Sequence, residues 1–132
     1  MKVVLDCNVL ISAGLNKGTC RDVFAAVIHS HQCILSKEIL GEYVTVTRRK
    51  HFAKAAANLL DLIRLVSQNA IFATPLASPI RLPDPKDQIY LDAALAAKAD
   101  VLVTGNKKHF PEAAYQGVQV VSPREFLALR GR

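Results

Sequence analysis

Lys2-Val3-Val4-Leu5-Asp6-Cys7-Asn8-Val9-Leu10-Ile11-Ser12 opens the chain with an apolar run that stops abruptly at a carboxylate, followed by an amide and then a hydroxyl. Val3, Val4 and Leu5 in succession predict a strand buried on both faces, the pattern of a parallel sheet. Asp6 then stands at the carboxyl end of that strand, the edge at which open α/β sheets build their sites. A charge at the rim of a core is costly unless it faces a partner, a metal or a helix N-terminus. On these residues alone Asp6 reads equally well as the cap of the next helix and as a site acid.

Outward from this stretch, strand and helix signals alternate. Asn8 to Ala13 predicts a short helix, broken near Gly14-Leu15-Asn16-Lys17-Gly18. Thr19 is placed to cap a second helix through Val23, Phe24, Val27 and Ile28. Cys33-Ile34-Leu35 is a short buried strand, and Ser36 caps a helix carrying Ile39, Leu40, Tyr43 and Val44. Phe52 to about Val66 forms another helix, with Leu59, Leu60, Ile63 and Val66 as its apolar stripe. Ala70-Ile71-Phe72-Ala73 is a third strand. Thr74 to Pro83, interrupted by Pro75, Pro79 and Pro83, is a loop.

Asp84-Pro85-Lys86-Asp87 is a strong helix start, with Asp as cap, Pro at the first position and an acid at the third. The alanine-rich helix through Lys98 follows. Val101-Leu102-Val103 and Gln119-Val120-Val121 are strands, and Ser122-Pro123 starts a closing helix with Phe126 and Leu127. Strands alternating with helices imply right-handed crossovers. The expected fold is α/β: a three-layer α/β/α sandwich around a mostly parallel sheet of four to five strands, formed by residues 1–132 as a single domain.

The totals agree with this architecture. A chain of 132 residues buries a real core without disulfides, and a hydrophobic share of 51% without Trp favours Val, Ile, Leu and Ala between two helical layers. No apolar stretch approaches the roughly 18 residues that span a bilayer, and a strand occupies the first residues, so a cytoplasmic protein with no membrane segment is expected. Cys7, Cys20 and Cys33 lack any C-x-x-C spacing and read as reduced, partly buried thiols. His29, His31, His51 and His109 show no metal-binding spacing, and His29 and His31 are expected in water or capping a helix end. The net charge of +6 is clustered at Arg48-Arg49-Lys50-His51 with Lys54, at Lys107-Lys108-His109, and at Arg124, Arg130 and Arg132. Such patches suit a polyanion such as RNA, although charge alone favours a solvated basic surface.

Two further acids recur where strands end. Glu42 lies in the helix after the second strand, and Asp87 in the first turn after the proline loop. Taken singly, each is an ordinary surface or capping acid. Thr104-Gly105-Asn106 shifts that balance, because it forms a second polar cluster at the carboxyl end of a strand. Asp6, Glu42, Asp87 and Asn106 could then surround one cavity. Three carboxylates without His or Cys make an oxygen-only site suited to Mg²⁺ or Mn²⁺. Crowded carboxylates repel one another and have raised pKa values unless a divalent cation neutralises them. Sites of this kind serve phosphodiester hydrolysis, in which a metal lowers the pKa of water and stabilises charge on phosphoryl oxygens.

At these residues the chain resembles the PIN-domain family, whose VapC-like members are small metal-dependent ribonucleases and toxins of toxin–antitoxin pairs. The resemblance runs through Val4 to Ser12, then Leu35-Ser36 to Ile39-Leu40-Gly41-Glu42-Tyr43, then Asp84-Pro85-Lys86-Asp87. It continues from Ala99 through Asn106 to Phe110-Pro111. It implies that Asp6, Glu42 and Asp87 are the catalytic, metal-binding acids, with Asn106 beside them and with Asn8, Ser12 and Thr104 as polar support. Many members carry an Asp where this chain has Asn106. Losing that charge weakens a second metal and implies a predominantly one-metal site.

The expected activity is endoribonuclease hydrolysis dependent on Mg²⁺ or Mn²⁺. Arg48, Arg49, Lys50, Lys107 and Lys108 are candidates for the RNA backbone, the last two favoured because they follow the site strand. Tyr43 and Tyr90 read as packing residues. The resemblance further implies a small cognate antitoxin as partner, and a homodimer is typical of the family. The alternative class is a catalytically inactive module that binds RNA or a protein partner. A haloacid-dehalogenase-type phosphatase would need an Asp where Asn8 stands, and a dinucleotide-binding module would need a G-x-G-x-x-G that is absent.

Overall fold

The computed structural model describes residues 1–130, so Arg132 and the side chain of Arg130 lie outside the described residues. In chain order the strands are β1 (Lys2–Leu5), β2 (Gln32–Leu35), β3 (Ala70–Phe72), β4 (Val101–Val103), β5 (Ala114–Tyr115) and β6 (Val118–Val121). The helices are α1 (Cys7–Leu15), α2 (Thr19–Ser30), α3 (Lys37–Thr47), α4 (Ala56–Gln68), α5 (Pro85–Ala97) and α6 (Pro123–Arg130). The sheet runs β3-β2-β1-β4-β6-β5 and is parallel except for β5 against β6. Helices flank it: α5 packs on β1, β2 and β4, while α2 and α6 pack on β2 and β6 and on each other. No helix among the described residues is long and apolar enough to cross a membrane.

β1 is central, and its apolar run explains why. Val3, Val4 and Leu5 are each 0% exposed, so both faces of the strand are covered. From β1 the chain first builds outward to β2 and β3, then returns to β4 on the other side. The strand order therefore reverses at the β1–β4 pair, and a crevice opens at the carboxyl ends of these two strands. Leu5 pairs with Val103 in register, which sets Asp6 beside Thr104.

Local chemistry starts the helices that face this crevice. Ser36 Oγ accepts from Ile39 N at 3.1 Å to cap α3, and Asp84 Oδ1 accepts from Lys86 N at 2.9 Å to cap α5, with Pro85 in the first turn. The start of α6 is a reciprocal capping box. Glu125 N donates to Ser122 Oγ at 3.1 Å, and Ser122 N donates to Glu125 Oε1 at 2.8 Å.

Several expectations are corrected. The sheet has six strands rather than four to five. The extra strand, β5, returns through a hairpin whose central residues Gln116 (φ 49°) and Gly117 (φ 91°) are both left-handed, as a tight primed turn requires. The break expected near Gly14-Leu15-Asn16-Lys17-Gly18 is present, with α1 ending at Leu15, but Gly14 is not its cause. Gly14 lies inside the helix, where an added Cβ would come within 2.4 Å of Leu59 Cδ2, so the glycine lets α1 and α4 approach closely. Thr19 is the first residue of α2 rather than its cap, and Gly18 precedes it with no side-chain cap. The helix expected from Phe52 is split into a 3₁₀ segment (Lys50–Ala55) and α4, with non-helical dihedrals at Phe52. His31 is not in open water: its Nδ1 lies 3.1 Å from the amino terminus and its ring meets the edge of Phe126.

Tyr43, fully buried on α3, donates its hydroxyl to the carbonyl of Leu5 and ties that helix to the end of β1. Tyr43→Phe removes this donor from a buried carbonyl, a loss worth about 1–3 kcal/mol. Urea unfolding should show a lower midpoint at an unchanged slope, because the apolar surface buried is nearly the same.

Candidate active site

Asp6 is 6% exposed and is gripped by the two central strands. Its backbone N–H donates to Val103 O at 2.9 Å, and Thr104 Oγ1 donates to Asp6 Oδ2 at 2.7 Å. Thr104 is itself completely buried and accepts from Asn106 N at 3.0 Å, which fixes the direction of its hydroxyl. Burial pushes the Asp6 carboxyl above its ordinary value, and the Thr104 hydroxyl and the amides of Asn8 and Cys7 only partly offset it. Although Asp6 occupies the N-cap position of α1, its side chain makes no capping hydrogen bond. The carboxylate lines the crevice, with the first amides of α1 beside it.

The crevice is a cleft of about 160 Å³ lined by acids from three helix starts or faces. Glu42 reaches it from α3, Asp87 from the first turn of α5, and Asp84 from the cap of that helix. Asn8, Arg49, Lys86 and His109 complete the polar lining, with Cys7, Val46 and Tyr90 among them. Asp87 is 6% exposed, and burial raises its carboxyl pKa, opposed by His109 and reinforced by the charge of Asp6. Cys7 is pushed up to about 12 by burial and then by Glu42 and Asp6, so it stays a thiol beside the acids and is no nucleophile at neutral pH.

His109 stands on the far wall, in a 3₁₀ turn (Lys107–His109) after β4. Its Nδ1 is 3.0 Å from Asp87 Oδ2, and its Nε2 is 2.9 Å from the side-chain nitrogen of Asn106. One ligand atom from each of Asp84, Asp87 and His109 lies within 4.8 Å of the others. Asp6, Glu42 and Asp87 share the cleft but do not all close to that mutual distance.

The fold and this arrangement coincide with a known family. The PIN-domain profile matches residues 2–108. The chain belongs to the PIN-domain family. Among solved structures, this PIN domain is similar to VapBC2 from Rickettsia felis, bound to a DNA fragment from their promoter, with a TM-score of 0.64 at 16% identity. That match covers 92% of this chain and 98% of that one. VapBC-1 from nontypeable Haemophilus influenzae is similar with a TM-score of 0.60 at 17% identity, covering 94% and 99% of the two chains. No curated protein matches the sequence.

Within the PIN domain, the expected acids Asp6, Glu42 and Asp87 line one cleft together with Asn8. Thr104 supports Asp6 directly. Ser12 is half-buried further along α1 and does not line the cleft. Asn106 also stands behind the lining, with its backbone on Thr104 and its side chain on His109. Of the basic candidates, Arg49 reaches the cleft while Arg48 and Lys50 are exposed outside it. Lys107 is paired with Glu125 at 2.9 Å, and Lys108 is exposed, so neither lines the cleft.

Three residues escaped sequence reasoning. Asp84 was explained by its cap, which uses Oδ1 and leaves a second oxygen. Lys86 lay between two acids of a helix start. His109 overturns the expectation of a cleft without histidine: its partners are carboxylates from α5, so spacing to other histidines carries no signal. The one hint was its place just beyond the polar end of β4.

The raised carboxyls have a consequence for stability. A folded state that holds a proton more tightly than the unfolded chain loses stability as pH rises. Asp6 therefore contributes stability below its ordinary value of 3.8, and that contribution is lost as pH climbs through the raised folded value. In EDTA, Asp6→Asn should melt above the wild type at neutral pH. The difference in melting temperature should shrink toward zero as pH approaches 3.8. Thermal melts across pH check it, since Asn still accepts from Thr104.

Proposed function

We propose that this PIN domain is a metal-dependent endoribonuclease, the toxin component of a toxin–antitoxin pair. The observation that carries the reading is the convergence of Asp6, Glu42 and Asp87 on one cleft of a protein with net charge +6. The donor set fits a divalent cation. Asp87 Oδ2 is buried against the His109 ring at 3.0 Å, and burial still raises both Asp6 and Asp87, so the cleft holds more carboxylate than its own polar groups satisfy.

Asp6, Glu42 and Asp87 would hold Mg²⁺ or Mn²⁺, with Asn106 as an uncharged neighbour that favours a single ion. When bound, such an ion supplies Lewis acidity to a phosphodiester and lowers the pKa of water. The protein's own groups do the rest. Thr104 and the backbone of Val103 hold Asp6 in one orientation, and that carboxylate, or Asp87, is the group to orient an attacking water. Arg49 and Lys86, at the cleft, are suited to flanking phosphates, with Arg48, Lys50, Lys107 and Lys108 further out along the strand. The structural neighbours are VapBC assemblies, in keeping with a small cognate antitoxin as partner, and RNA is the substrate of this proposal. A homodimer, typical of the family, is part of the same proposal.

Purified protein incubated with structured RNA and Mn²⁺ or Mg²⁺ should cleave it, and EDTA should stop cleavage. Asp6→Asn and Glu42→Gln should each lower the rate by about 100-fold or more. RNA binding without cleavage, indifferent to metal, would instead establish the binding-module reading. Cleavage that survives in Asp6→Asn at the wild-type rate would refute the assignment of the acids.

A further inference from the structure

We propose that His109 is itself a metal ligand, acting with Asp84 and Asp87, and that its nitrogen makes the cleft prefer Mn²⁺ over Mg²⁺. The inference rests on the metal reading above and sharpens it, because the family pattern supplies oxygen ligands only. Its first support is convergence: Asp84, Asp87 and His109 each bring a ligand atom within 4.8 Å of the other two. The second is the state of Asp87 Oδ2. It is buried in a residue 6% exposed and faces His109 Nδ1 at 3.0 Å, a contact that is an ion pair when the imidazole is protonated and that a cation would replace. Neighbouring ligands around an octahedral ion at about 2.1 Å are separated by about 3 Å, so the pair is spaced as two donors to one cation.

The surroundings of the imidazole suit ligation. A metal-bound histidine normally donates its other ring N–H to a fixed acceptor, which sets the tautomer. Asn106 occupies that place, 2.9 Å from Nε2. Its amide nitrogen faces the ring, and a half-turn of the amide, which leaves its shape unchanged, presents the oxygen to Nε2–H and frees the Nδ1 lone pair toward Asp87. The side chain of His109 is 42% exposed, so an ion reaches it from solvent. Asp84 spends Oδ1 on the α5 cap and keeps Oδ2 available. Mg²⁺ favours oxygen and water in its shell, whereas Mn²⁺ accepts an imidazole nitrogen readily. Asn106 thus has a positive role as the orienting neighbour of a nitrogen ligand.

Calorimetric titration with MnCl₂ and with MgCl₂, on wild type, His109→Gln, His109→Ala and Asp6→Asn, tests the proposal alongside pulsed electron paramagnetic resonance of bound Mn²⁺. Wild type should bind Mn²⁺ more tightly than Mg²⁺ and show nitrogen modulation from a directly coordinated imidazole. Both His109 variants should lose that modulation and bind Mn²⁺ about 10-fold or more weakly, with Mg²⁺ affinity changed less than about 3-fold. Circular dichroism melts confirm that the variants fold. Mn²⁺ bound to wild type without nitrogen modulation overturns the inference, as does an equal loss of both ions in the His109 variants. If Asp6→Asn then weakens both ions, the carboxylate site stands and only His109 falls. Wild type that binds neither ion removes both readings.

Discussion

A carboxylate held at the end of the central strand, almost out of contact with water, is the constraint on which the rest of this structure turns. Ionised, Asp6 costs the fold free energy unless something compensates it. The compensation the protein itself supplies is a single 2.7 Å hydrogen bond from Thr104, aided by two amides at the start of α1. That hydrogen bond exists only because β1 and β4 pair in register, joining residues from opposite ends of the chain. The core of Val, Leu and Ile on both sides of β1 therefore does more than exclude water. It sets the position of one oxygen atom at the cleft.

The same edge collects the other acids by a repeated device. α1 and α5 begin at the cleft, and their first turns carry Cys7–Asn8 and Asp87. Their N-termini contribute partial positive charge where the carboxylates gather, which eases the repulsion between them. α3 contributes Glu42 from further along its length, and Tyr43 beside it anchors that helix to Leu5. A packing contact and a site residue are thus adjacent in sequence, so the helix that positions the acid is held by the strand that carries Asp6.

Charge is divided between scales. The protein is basic as a whole, with a sequence pI near 9.5, while its cleft is acidic. A polyanion is drawn toward such a surface at long range but is repelled by bare carboxylates at short range. The divalent cation proposed for the cleft would resolve that conflict. Arg49 and Lys86, placed at the rim with the acids, soften it further.

Much of this was legible in order along the chain. Buried runs such as Val101-Leu102-Val103, the caps Ser36, Asp84 and Ser122, and the proline loop are local signals, written within a few residues, and local hydrogen bonding realises them. The hairpin at Gln116-Gly117 was not legible, because Gln seldom takes a left-handed conformation and no neighbouring residue announces it. Nor was the role of Gly14, whose missing side chain matters only because Leu59 of α4 comes against it. The sequence by itself determined the alternation of strands and helices, the doubly buried first strand, and Asp6 and Asp87 at element ends, since each follows from periodicity and capping within a short window. Glu42, inside α3, was marked only by the family resemblance. Tertiary structure alone decided that Thr104 holds Asp6, that Lys107 is taken by Glu125, and that His109 meets Asp87 across the cleft. Those contacts depend on strand register and helix packing over long separations, and no local pattern encodes which distant residue a side chain will face.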